Sequence, residues 1–223
     1  SVKAAFNNSS ISPEGCQGIS VGGALHSIMA VDKSYQPLSG VLTWADMRAV
    51  KQFEYIAKRF DTHNYYLRSG CPNNPMYPLA KIVWIREENQ SHIKNVNSYI
   101  SAKEYVLWKL TGERVVDYAI ASGSGLFNIN RLEWDQELLE IAGIDETNLA
   151  HVRNPHFTVG ELSKSICKMI GLRKPVPVIL GSADAVNSSL GAGTINSKSA
   201  TCMVGSSGAI RTISDHPVLD SKE

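Results

Sequence analysis

Pro175-Val176-Pro177-Val178-Ile179-Leu180-Gly181-Ser182-Ala183-Asp184 decides how the chain is read. Its apolar run is short, rich in β-branched residues and bounded by proline and glycine, which describes a buried strand with its C-terminal end at Gly181. In open α/β sheets, the crevice beyond the C-terminal ends of parallel strands is where ligands are held. Asp184 stands there and is the first candidate for chemistry. Asp is also a preferred helix cap, and a small-residue helix is expected over 185–190, so capping and catalysis both stand as readings.

Downstream, Gly191-Ala192-Gly193 breaks regular structure, a feature expected of a hinge between lobes. Two strands are expected at 199–204 and 209–213, joined by Gly205-Ser206-Ser207-Gly208. Such a turn can aim successive N–H groups at one point and hold phosphate oxygens. It reads equally well as a plain hairpin turn, since glycine and serine suit turns for conformational reasons.

Upstream, strands are expected at 18–21 and 27–31, the two forming a β pair, with Ala24, Leu25 and His26 between them. The spacing of Met47, Val50, Phe53, Ile56, Ala57 and Phe60 predicts an amphipathic helix over 47–60. Another helix starts near Pro78 and carries Leu79, Ile82, Val83 and Ile85. Ser101-Ala102-Lys103-Glu104 is a capping box that opens a helix ended by Gly112. Helices are also predicted at 135–142, closed by Gly143, and at 161–170, closed by Gly171, the latter with Leu162, Ile166 and Met169 facing inward.

Trp44-Ala45-Asp46-Met47-Arg48 places an aromatic, an acid and a base within five residues at a loop-to-helix junction, a set able to stack on and hydrogen-bond a polyhydroxylated ligand. Asp46 serving only the helix start, and Arg48 being merely solvated, remain as readings. So do a structural His26 and a surface Lys81. Neither GxxxxGK[ST] nor GxGxxG occurs, so neither phosphate-binding fingerprint is present.

Composition narrows the partners. The 223 residues carry 22 Lys and Arg against 21 Asp and Glu, for a net charge of +1, which offers no electrostatic footprint for nucleic acid or an anionic membrane. Cys16, Cys71, Cys167 and Cys202 stand far apart, without CxxC or Cys/His pairing, so neither a zinc site nor a disulfide framework is expected. No apolar run reaches the roughly 20 residues that span a bilayer. A cytoplasmic protein with a small-molecule partner is expected, and a homodimer is left open.

Met76-Tyr77-Pro78-Leu79-Ala80-Lys81-Ile82-Val83-Trp84-Ile85-Arg86-Glu87-Glu88 resembles the first signature of the FGGY carbohydrate kinases, with Met, Pro, Lys and Trp at the family's spacing. Four further segments resemble the family in the same order: 19–32, 43–48, 101–105 running on through Gly112 to Asp117 and Ser122, and 160–162 running on to Gly181 and Asp184. The resemblance implies an α/β fold of the sugar kinase, hexokinase and actin type, with two RNase-H-like lobes around a cleft. It implies Asp184 as catalytic base, and Gly205, Ser206 and Ser207 as the turn that contacts ATP phosphates. It places His26, Trp44, Asp46, Met76 and Lys81 where the family lines or supports its sugar pocket, with Arg48 beside them. ATP and Mg²⁺ are the implied cofactors, and no protein-held metal is expected.

Within the family, Ala24-Leu25-His26-Ser27, the Trp44 segment and Gly70-Cys71-Pro72-Asn73-Asn74-Pro75-Met76 look most like gluconate kinases. Xylulose kinases usually carry Gln where Ala24 stands, and glycerol kinases Arg and Glu where Leu25 and His26 stand. The resemblance also implies a lobe incomplete at both ends: 1–195 as most of the N-terminal lobe without its first strands, and 196–223 as the start of the C-terminal lobe. A chain starting at Ser1 and lacking the adenosine pocket is expected to be inactive alone.

Overall fold

The computed structural model describes residues 2–9, 12–72, 74–88, 94–205 and 208–221. In chain order the regular elements are α1 (Val2–Asn7), β1 (Ile19–Ser20), β2 (Met29–Val31), α2 (Val50–Arg59), α3 (Thr62–Ser69), α4 (Pro78–Glu88) and β3 (Ser98–Ile100). Then follow α5 (Ala102–Thr111), β4 (Val115–Asp117), α6 (Tyr118–Ser122), β5 (Phe127–Asn128), β6 (Glu133–Trp134), α7 (Gln136–Ala142) and β7 (His151–Arg153). The chain continues through β8 (Thr158–Glu161), α8 (Lys164–Ile170), β9 (Pro177–Ile179), α9 (Asp184–Gly191), β10 (Ala200–Val204) and β11 (Gly208–Thr212).

The strand predicted around Val178 is central. β9 lies between β1 and β8, parallel to the first with Ile19 opposite Val178, and antiparallel to the second with Gly160 opposite Val178. Val178 and Leu180, on one face, are fully buried, while Pro177 and Ile179 on the other are partly buried, so the strand expected to be buried is fully covered on one face only. The expected pairing of the first two strands does not occur. β1 takes β9, 159 residues on, and β2 pairs antiparallel with β3. Adjacent apolar runs carry no information about such distant partners.

Two apolar clusters hold the elements together. One gathers Leu79, Ile82 and Ile85 of α4 with Leu138, Leu139 and Ala142 of α7, Phe127 and Trp134. The other packs Leu107 of α5, Val159 and Leu162 near β8, and Cys167 of α8 against Val176, Val178 and Leu180. α4 is apolar on most of its surface and lies buried accordingly; the one charge among its buried residues is Lys81.

Local signals are obeyed where they are strong. Ser101 Oγ accepts from the Glu104 amide and Glu104 accepts from the Ser101 amide, while Gly112 ends α5 at φ 81°. Asp135 caps α7, and Gly143 closes it at φ 68°. Two predicted helix starts are corrected. The helix read over 47–60 begins at Val50, since residues 47–49 form a turn. Glu161 belongs to β8, the cap of α8 is Ser163, and Cys167 rather than the exposed Met169 faces inward. α3, capped by Asp61 and ended by Gly70 at φ 67°, has no counterpart among the predicted helices.

Candidate active site

Past β9 the chain turns at Gly181, whose φ of 68° is one that residues with a Cβ seldom adopt. A Cβ there would also lie 2.5 Å from the Val21 carbonyl oxygen. The sharp turn lays residues 182 and 183 beside Gly22 and Gly23. Gly23 and Ala183 form a parallel bridge, and the Asp184 amide donates to the Gly23 carbonyl at 2.9 Å. Asp184 is thereby the first residue of α9. The cap position belongs to Ala183, which makes no side-chain cap. The capping reading of Asp184 falls: its carboxylate is exposed, and it accepts from the adjacent Ala185 amide at 2.7 Å rather than from the next turn.

His26 sits in the loop before β2 with φ 63°. Its Nδ1 is 2.7 Å from the Gly123 carbonyl oxygen. A carbonyl only accepts, so Nδ1 carries the proton and Nε2 presents a lone pair. The ring stands edge-on to Tyr77, with centroids 5.0 Å apart. Burial lowers the imidazole pKa below 6.5, and the Lys81 charge acts in the same direction; the Gly123 bond and the Asp184 charge oppose them without prevailing. His26 is therefore neutral at pH 7. Beside it opens a cleft of about 290 Å³ that Cys71, Tyr77, Ser122 and Gly123 help to line.

Lys81 is fully buried on α4. Its Nζ donates to the Thr43 carbonyl at 2.7 Å and to the His26 carbonyl at 3.1 Å, so one ammonium joins the two loops that carry the predicted ligand contacts. Burial brings its pKa down to about 8 against the attraction of Asp46. Lys81 thus supports the loops from beneath. Asp46 and Arg48 form a two-pronged pair, with Arg48 Nε 2.8 and 2.9 Å from the two carboxylate oxygens. Burial alone would raise the Asp46 carboxyl, but the Arg48 hydrogen bonds outweigh it and hold the pKa below the ordinary value. The guanidinium also lies over Trp84, 4.9 Å from the ring centroid. Trp44 is 60% exposed and free to stack.

The structure thus brings His26, Trp44, Asp46, Arg48 and Lys81 into one linked group, with Asp184 close enough to act on the His26 charge. Met76 is half-buried, held through its amide by Asn74 and adjacent to Tyr77. Gly205 follows β10 in the β10–β11 hairpin and takes no part in these contacts. Ser206 and Ser207 lie outside the described residues. Tyr77, Gly123 and the Thr43 carbonyl went unforeseen, because nothing in a sequence marks which backbone oxygen a distant side chain will reach. Among the described residues no three His, Cys, Asp or Glu converge as metal ligands, and no helix is long and apolar enough to cross a membrane.

A mixed β layer with a carboxylate past its central strand, close to His26, and loops tied together by Lys81 make up an α/β lobe of the sugar kinase type. Residues 1–191 match the N-terminal domain of the FGGY family of carbohydrate kinases, and the chain belongs to that family. It is 37% identical over 204 residues to a gluconokinase of Bacillus subtilis (strain 168), covering 92% of this chain and 40% of that protein. It is 27% identical over 216 residues to a xylulose kinase of the same organism, covering 96% and 43%. A crystal structure of gluconate kinase from Lactobacillus acidophilus superimposes with a TM-score of 0.91 at 30% identity, covering 99% of this chain and 44% of that one. The chain thus spans less than half the length of these relatives.

Proposed function

We propose that this chain is the sugar-binding, base-carrying lobe of an ATP-dependent kinase that phosphorylates gluconate on its terminal hydroxyl, giving 6-phosphogluconate and ADP. The observation that carries the reading is the Asp184 carboxylate, exposed at the mouth of β9 and not spent on capping α9. Asp184 orients the attacking hydroxyl and takes its proton as the bond to the γ-phosphorus forms. Because the transition state of phosphoryl transfer is loose, placement of that hydroxyl contributes more than basicity.

The neutral His26 accepts a sugar hydroxyl through Nε2, Trp44 stacks on the carbon chain, and Asp46 accepts from further hydroxyls. Lys81 and Met76 hold the surrounding loops. Mg²⁺ carried on the ATP phosphates would neutralise their charge. Residues 1–195 are assigned to the first lobe and 196–223 to the start of a second, with Gly205, Ser206 and Ser207 contacting ATP phosphates. Four free cysteines and a near-neutral charge support a cytoplasmic protein with a small-molecule partner.

Xylulose is the second reading, and one observation favours it. A sugar acid calls for a cation or aligned donors, yet Arg48 is paired with Asp46, Lys81 is committed to two carbonyls, and His26 is neutral. The test is coupled ADP release by the longer enzyme carrying this lobe, with gluconate, xylulose, glycerol and ribulose, beside Asp184→Asn. Turnover of gluconate alone, lost in the variant, bears the proposal out. Turnover of a neutral sugar replaces the substrate, and turnover with none refutes the kinase reading.

A further inference from the structure

Lys103 and Asp117 form a buried ion pair that none of the proposed sugar contacts involves. Lys103 Nζ lies 2.6 Å from Asp117 Oδ2, and both side chains are 1% exposed. A buried charge pair is retained at a desolvation cost, so its geometry warrants a reason. Both members reach on to other elements. Lys103 crosses the face of Gly23, where a Cβ would stand 2.6 Å from its own Cβ, and its ammonium also donates to the Ser182 carbonyl at 3.3 Å. Ser182 is two residues before Asp184, in the turn bridged to Gly23.

Asp117 works in the other direction. Its Oδ1 accepts from the Ala119 and Ile120 amides at 3.0 and 3.2 Å, capping α6. That short helix ends at Gly123, whose carbonyl fixes the His26 ring. One ion pair therefore anchors the turn that presents Asp184 and the helix that orients His26, two groups brought from positions 158 residues apart.

We propose that Lys103 is a positioning residue for the phosphoryl-transfer step, setting the Ser182–Asp184 turn through its bond to the Ser182 carbonyl, with Asp117 as its anchor. This rests on the reading of Asp184 as the base. Misplacement of a reacting group by about 1 Å costs on the order of 10²-fold in rate. The arms are separable: an asparagine at 117 keeps an oxygen for the α6 cap, whereas a methionine at 103 fills the lysine's volume and frees Ser182.

The experiment compares the parent enzyme, Lys103→Met/Asp117→Asn, Lys103→Gln and Asp184→Asn, in the longer enzyme carrying this lobe, with whichever of gluconate and xylulose it turns over. The double variant removes both charges together and so avoids stranding either. Expected are an unchanged melting temperature within a few degrees, a kcat lower by about 10²-fold, and a sugar KM within about 3-fold. A merely structural role would lower the melting temperature and leave kcat alone. Should the double variant not fold, Lys103→Gln, whose stranded Asp117 charge lowers the melting temperature in any case, is read on kcat against sugar KM alone. If Asp184→Asn is inactive while the Lys103 variants keep their kcat, the positioning role alone is overturned. If Asp184→Asn keeps its activity, the base reading falls and this inference with it.

Discussion

His26 Nδ1 meets the Gly123 carbonyl oxygen at 2.7 Å, and this contact fixes which nitrogen of the neutral ring carries the proton. The proton is held on the inner nitrogen and Nε2 is left with its lone pair outward. Because burial places the folded pKa below 6.5, the unfolded chain binds more protons as pH drops from 6.5 towards the folded pKa. The stabilising contribution of neutral His26 is therefore complete above 6.5 and lost below it. Sugar affinity, measured calorimetrically from pH 5 to 8, is expected to be flat above about 6.5 and to weaken on acidification. His26→Gln should abolish that acid limb.

Asp184→Asn is expected to leave stability within about 0.5 kcal/mol, because the side chain is exposed and spans no cap. Its kcat should fall by about 10²- to 10⁴-fold, the usual worth of a placed acid or base. Thermal melts beside steady-state rates check both halves, and a rate within 3-fold of the parent would sink the assignment.

Lys81→Met removes a buried ammonium but leaves the Thr43 and His26 carbonyls without their donor. A destabilisation of about 2 kcal/mol is expected, together with a raised sugar KM as the two loops separate. The sign with pH is distinctive. The folded lysine, at about 8, releases its proton before the unfolded one at 10.5. Parent stability should therefore rise relative to the variant between those values. Denaturant midpoints of both proteins at pH 7, 9 and 10 measure the difference.

Gly181→Ala forces a Cβ to 2.5 Å from the Val21 carbonyl oxygen at a φ of 68°. A loss of about 2 kcal/mol or more is expected, from strain and from separation of β1 and β9. Gly171→Ala, also at positive φ but with open space around it, should cost about 1 kcal/mol. The contrast in melting temperature separates the steric contribution from the conformational one.

Much of this lobe is written locally. The Ser101–Glu104 box, the Asp135 cap, the glycines that end α5, α7 and α8, and the strand that delivers Asp184 all depend on residues within a few positions of one another. Their signals are read before any tertiary contact forms. α3 shows the limit of that reading: its cap and its closing glycine are both present, but Thr62–Ser69 carries no clear apolar stripe to announce a helix.

Tertiary structure alone decided which strands pair, since β1 and β2 look like natural partners and bond instead to β9 and β3. It also decided the state of each polar group at the site. Lys81 became a brace on two backbone oxygens, Arg48 a partner of Asp46, and His26 a ring kept neutral by burial and oriented by a backbone oxygen from across the fold. The physical reason is common to all of them. Sheet pairing, desolvation and long-range hydrogen bonds depend on which distant segments are packed together, whereas caps, turns and buried runs are settled by the chain's own neighbouring residues.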